Sequence, residues 1–222
     1  MEAKKLNIQT AKYAENSKDG IMICGINWGG SPDDAPSNET KSFFSDQSVN
    51  NYRYRNRIVT WFQLFRHPLE VTESKATAFE RSIIQTNWLS TQSRNMQNNH
   101  VFDECVNEWG NFEFHVRELQ PKLIIFLSVT LLDVLNSKSC IDRTRRLFGN
   151  EIDLKKILKK DVYEEARRLR SFRIGIQRFE NTDVIALPHP TGSKGLSDNY
   201  IRAFDQDISP LIDKYKVVRG FK

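Results

Sequence analysis

Cysteine is scarce in this chain: Cys24, Cys105 and Cys140 are its only three. An odd, widely spaced set offers neither a disulfide framework nor the paired spacing of a zinc site, and points to a reducing compartment. Cys24 and Cys105 sit in apolar patterns, where a small buried thiol is the usual occupant. Long apolar runs are missing too, and none approaches the length of a membrane span. Met1-Glu2-Ala3-Lys4-Lys5 leads into polar residues instead of an apolar signal core. A soluble intracellular protein, cytoplasmic or nuclear according to the organism, is expected, with no membrane partner. The chain has no internal repeat and no low-complexity segment. No Ser/His/Asp arrangement, phosphate-cradling Gly-rich loop with lysine, or metal-ligand spacing stands out, so no metal is expected.

What is present suffices for one sizeable core: 222 residues suit a single α/β domain spanning 1–222 and require no second one. The net charge of +5 is a mild excess that fits an anionic partner. It is unevenly spread. From Arg143 to Arg173 eleven basic residues stand against five acidic ones. That stretch reads either as a solvated helical face or as a surface that tracks phosphates.

Ile21-Met22-Ile23-Cys24, closed by Gly25, has the pattern of a buried strand ending in a turn. A polar loop follows from Ser31 to Ser42. Ile58, Trp61, Phe62, Phe65 and Leu69 recur at helical spacing behind Arg53, Arg55 and Arg57, predicting an amphipathic helix that ends near His67-Pro68. Ile83-Ile84 marks a second strand. The stripe from Phe102 to Leu119 predicts one long helix stopped by Pro121, before a third strand over Leu123-Ile124-Ile125-Phe126-Leu127. A short helix over Leu131–Leu135 and a basic, helical stretch to Arg170 are expected next. Phe172–Ile176 and Val184–Leu187 then pair as a hairpin, and a final helix carries Tyr200, Ile201, Phe204, Ile208, Leu211 and Ile212. Alternating strands and helices imply a three-layer α/β/α sandwich around a mostly parallel sheet. In such a sheet the loops after the strand carboxyl ends share one edge, where Asn27, Asn87 and His189 would meet.

Three of those loops carry distinctive residues: Cys24-Gly25-Ile26-Asn27-Trp28-Gly29-Gly30, Thr86-Asn87-Trp88 and Leu187-Pro188-His189-Pro190-Thr191-Gly192. In order and chemistry they resemble the uracil-DNA glycosylase superfamily, with the first segment nearest the mismatch-specific type. The motifs amount to about twenty residues, while the order of strands and loops is similar from Ile21 to Lys214. The resemblance implies that fold, DNA as partner, a monomer, and monofunctional hydrolysis of the N-glycosidic bond of uracil or a related base flipped out of DNA, without a cofactor. The iron–sulfur cluster of some branches needs four cysteines, which this chain cannot supply.

By the same resemblance Asn27 positions water beside the anomeric carbon. His189 donates a hydrogen bond to the pyrimidine O2 as the base departs as an anion, a contribution of about 3 kcal/mol in comparable oxyanion sites. Asn87 reads the base edge, giving to uracil O4 and accepting from N3–H, the reverse of what cytosine presents. Gly25, Ile26, Trp28 and Gly29 line the base pocket, and Phe44, preferred over Phe43, stacks on the base. Thr191 and the Gly192 backbone grip a flanking phosphate, with Ser193 beside them and Lys194 adding a contact. Leu196 enters the vacated stack as a wedge. Two departures stand out: Trp28 replaces the family's proline, and Gly29 lies where the strictest uracil enzymes keep a tyrosine that excludes a thymine methyl. His67, His100 and His115 read as structural or solvated, and Glu104 and Glu108 as solvated charges. The alternatives are a binding module that keeps the pocket without the chemistry, and an unrelated nucleotide-handling α/β enzyme.

Overall fold

A computed structural model describes residues 6, 8, 10–27, 53–70, 76–91 and 100–221. Helix α1 (Ala14–Ser17) leads into β1 (Ile21–Gly25), followed by α2 (Arg53–Leu64), α3 (Ala78–Arg81) and β2 (Ile83–Asn87). Next come α4 (Val101–Asn107), α5 (Trp109–Leu119), β3 (Leu123–Phe126), α6 (Val129–Leu135), α7 (Ile141–Phe148) and β4 (Glu151–Leu158). A small hairpin of β5 (Tyr163–Glu164) and β6 (Arg167–Arg168) precedes β7 (Ile174–Phe179), β8 (Asp183–Ala186), α8 (Asp198–Arg202) and α9 (Asp205–Arg219).

The central sheet has six strands in the order β2-β1-β3-β8-β7-β4. The first four are parallel, and β7 and β4 join antiparallel at one edge. Every residue of β1, β2, β3 and β8 is buried, as expected of strands covered on both faces. The period of two divides them cleanly. Ile21, Ile23, Ile83, Leu123, Ile125 and Ile185 form one core with Ile58, Trp61 and Phe62 of α2, Tyr200 of α8 and Ile208 and Ile212 of α9. Met22, Cys24, Ile84, Ile124, Phe126 and Val184 form the other with residues of α4, α5, α6 and α7. Helices therefore cover both faces. All three cysteines are buried free thiols.

Three expectations about elements need correction. The stripe from Phe102 to Leu119 is two helices, broken at Glu108 (φ −91°, ψ 20°). The final helix is also two, α8 and α9, separated at Ala203-Phe204. The basic stretch to Arg170 is helical only as far as Phe148; its remainder is edge strand β4 and the β5–β6 hairpin. Lys, Arg and Glu favour helix locally, but the extended pairing of β4 with β7 overrides that preference. Register shifts along β4, together with Lys155 and Lys156, blunt the exposed sheet edge. The hairpin of β7 and β8 is as expected. No helix among the described residues is long and apolar enough to cross a membrane.

Candidate active site

Strand order locates the crevice. The chain passes from β1 to β2 on one side and then crosses to β3 on the other. In open sheets of this kind ligands bind at such a switch point, outside the carboxyl ends of the strands. The loops after β1, β2 and β8 all lie at that edge.

Gly25 ends β1 opposite Asn87, the last residue of β2. A Cβ at Gly25 would stand 2.1 Å from Asn87 Oδ1, so only glycine leaves room for this amide. The ladder continues past the strands: Trp88 N–H donates to Gly25 O (2.9 Å) and Leu89 N–H to Ile26 O (2.8 Å). Asn27, the next residue, is partly buried. From the helical side, Asn111 Nδ2 donates to Trp88 O at 2.7 Å. His115 Nδ1 lies 2.7 Å from Asn111 O and must donate to it. Trp88 stacks on Phe112, ring centroids 3.8 Å apart and 4° from parallel, and its Nε1 donates to Cys105 O (2.8 Å). Glu108 is no mere solvated charge, because its Oε2 accepts from Ser90 N and Oγ at 3.1 and 3.0 Å. Asn87, 5% exposed, thus sits on a backbone fixed from two sides.

His189 follows β8 through Leu187-Pro188, and the chain then turns back on it. Gly192 N–H donates to His189 Nδ1 at 2.8 Å and Thr191 N–H at 3.2 Å. A nitrogen that accepts two N–H groups carries no proton, so the neutral ring bears its hydrogen on Nε2. Burial also holds the imidazole below its ordinary value of 6.5, favouring that neutral form. A Cβ on Gly192 would lie 3.0 Å from Nδ1, which explains a glycine at this tight approach.

Tyr54 of α2 joins the two sides. Its ring centroid lies 5.7 Å from that of His189, and its hydroxyl accepts from Gln85 Nε2 of β2 at 3.0 Å. The same hydroxyl is 3.8 Å from the Cβ position of Gly25. Burial pushes the Tyr54 phenol well up, so it stays protonated. Arg57, one helical turn on, ties down the loop after His189: Nη1 donates to Pro190 O (2.6 Å) and Nη2 to Leu196 O (2.8 Å).

The structure thus brings Gly25, Asn87 and His189 to one edge, with Asn27 just beyond Gly25. Trp28, Gly29 and Phe44, like Phe43, lie outside the described residues. Thr191 and Gly192 are exposed, and both backbone N–H groups donate to His189. Ser193 is partly buried, with its N–H on His189 O at 3.2 Å, and Lys194 is exposed. Leu196, expected to act as a wedge, is 7% exposed and packs in the core beside α2 and α8. Sequence reasoning missed Tyr54, Gln85, Arg57 and Asn111. Gln85 alone left a trace, as a polar residue within a buried strand. No protein-family model matches the chain, and the search of curated proteins finds no match.

Proposed function

We propose that this protein is a monofunctional DNA glycosylase with a uracil-DNA glycosylase-like fold, acting as a monomer on uracil or a related base flipped out of DNA. The observation that carries the reading is the fixed tautomer of His189, whose two backbone donors at Nδ1 leave Nε2–H as a preset donor on the loop after β8. A departing uracil needs such a donor. As the N-glycosidic bond breaks, its electron pair stays with the base, and charge gathers on O2. A neutral imidazole N–H meets that charge without first transferring its proton. Water directed by Asn27 adds to the anomeric carbon and releases a proton, leaving an abasic sugar and the free base.

Asn87 supplies the edge reading. Its Oδ1 lies over the bare Cα of Gly25, and the Tyr54 hydroxyl is near the same position. Fixing the amide's orientation is what lets donor and acceptor be told apart, and thus uracil from cytosine.

The test incubates the purified protein with single- and double-stranded oligonucleotides carrying uracil, hypoxanthine, xanthine or oxidised pyrimidines, followed by alkaline cleavage. Strand breaks that fall at least roughly tenfold in Asn27→Ala and His189→Ala are expected. No cleavage on any substrate, with DNA still bound, would favour the binding module, the reading to which Trp28 lends weight by replacing the family's proline.

A further inference from the structure

Leu196 packs in the core, and a second element stands beside the His189 loop. Strand β4 runs parallel to β8, because both are antiparallel to β7. The chain leaving Leu158 therefore emerges at the same sheet edge as His189. There it forms the β5–β6 hairpin, with Tyr163 opposite Arg168 and Glu164 opposite Arg167. Its turn is made by Glu165 and Ala166, at φ 49° and 62°. Such a two-residue turn normally recruits glycine or asparagine, and its conformation holds the tip in a defined shape.

The hairpin has two unlike faces. Val162 and Leu169 pack against the core, and Leu169 N–H donates to Val162 O at 2.8 Å. Strand alternation sends Tyr163, Arg168 and Arg170 to the opposite face. Tyr163 is 64% exposed there, with its ring face open to solvent. Arg168 pairs with Asp161, but both side chains are more than half exposed, and a pair of that kind yields readily to a phosphate. Arg170 reaches across to the loop that begins at His189. Its Nη1 donates to Lys194 O at 2.9 Å, and its Cδ lies 3.4 Å from the Cβ position of Gly195. On the other face Asn199 donates to Glu164. The hairpin is therefore anchored to the His189 loop.

We infer that the outer face of this hairpin, carrying Tyr163, Arg168 and Arg170, is the docking surface for the DNA strand next to the nucleotide held at His189. Tyr163 stacks on a base that has lost its neighbour, and the guanidinium groups meet the adjoining phosphates. The inference rests on the glycosylase reading for its choice of DNA over other polyanions.

The experiment measures binding of the full chain and its variants to a fluorescein-labelled duplex containing a tetrahydrofuran abasic site, across a series of salt concentrations. Tyr163→Ala is expected to bind about tenfold more weakly, and Tyr163→Phe, which keeps the ring, like the unaltered protein. Arg168→Ala is expected to weaken binding and to lower the salt slope by about 1. Unchanged thermal midpoints separate these effects from misfolding. If the unaltered protein binds the duplex and Tyr163→Ala and Arg168→Ala match it in affinity and slope, the hairpin inference falls and the glycosylase reading stands. If the unaltered protein does not bind the duplex at all, the hairpin inference falls, and excision from single-stranded oligonucleotides decides the glycosylase reading. Weakened variants of a protein that binds but excises nothing would uphold the hairpin and overturn the glycosylase reading.

Discussion

At the scale of single residues, the site depends on two glycines that make room for polar side chains. Gly25→Ala is the sharper test. Its Cβ would sit 2.1 Å from Asn87 Oδ1, closer than atoms can approach, so the amide must leave or the β1–β2 pair must spread. Excision should fall at least roughly tenfold, and stability by about 1–3 kcal/mol, as overpacking usually costs. Single-turnover assays and urea unfolding measure both. Full activity in Gly25→Ala would remove Asn87 from base reading. His189 makes a prediction in pH. Its imidazole is held below 6.5 by burial, and protonation would set an Nδ1–H against two backbone N–H groups. The rate should hold as pH falls to 6.5 and decline only below it. The sign for stability agrees: the unfolded chain takes up the proton first, so the contribution is fully present above 6.5 and is lost as pH falls from there toward the native value. His67, also lowered by burial, adds the same sign, so His189→Gln must be compared with the parent. An acid limb centred above 6.5 would contradict the tautomer assignment. At this scale the sequence made Gly25, Asn87 and His189 legible, because each ends an apolar run. Tyr54 goes unnamed and Arg57 reads only as part of a basic helix start, because their partners lie far away in sequence.

At the scale of elements, the loop from His189 to Ser197 is tied down at several points. Arg57 pins it at Pro190 and Leu196, Arg170 pins it at Lys194, and Leu196 sinks into the core. Leu196→Ala separates this arrangement from a projecting wedge. Truncating a buried leucine costs about 2–5 kcal/mol, and a large drop in the urea midpoint is expected. An exposed wedge would give no such loss, only weaker capture of the flipped nucleotide. The elements themselves were legible where periodicity was strong and uninterrupted, as in β1, β3 and α2. They were misread where a break fell inside a continuous apolar stripe, at Glu108 and at Ala203-Phe204. The edge strand was hidden for another reason. β4 keeps Ile152 and Leu154 exposed and turns Lys155 toward Asp133, so its composition mimics a charged helix.

At the scale of the whole molecule, one sheet serves two cores that share no side chains but share every central strand. Ile21 and Ile23 belong to one, Met22 and Cys24 to the other. Losing strand register would therefore dissolve both together. Even the candidate site follows this rule, since Asn87, His189 and Tyr54 come from β2, the loop after β8 and α2, and meet only when the sheet is complete. Two sets of tryptophans make the coupling measurable: Trp61 is buried in the core with α2 and α9, and Trp88 and Trp109 are buried in the core with α4 and α5. In Trp61→Phe on a Trp28→Phe background, indole fluorescence loses its reporter on the first face and comes from Trp88 and Trp109 on the second. Removing the Trp61 Nε1 donor to Asp198 (3.3 Å) forgoes a bond worth about 1 kcal/mol, so the fold should survive. Urea unfolding of this variant and of the parent should each give fluorescence, far-ultraviolet circular dichroism and activity curves with one shared midpoint. Were the fluorescence of this double variant to change at a different urea concentration from its circular dichroism, the faces would be unfolding separately, and the site could not owe its geometry to a single cooperative sheet.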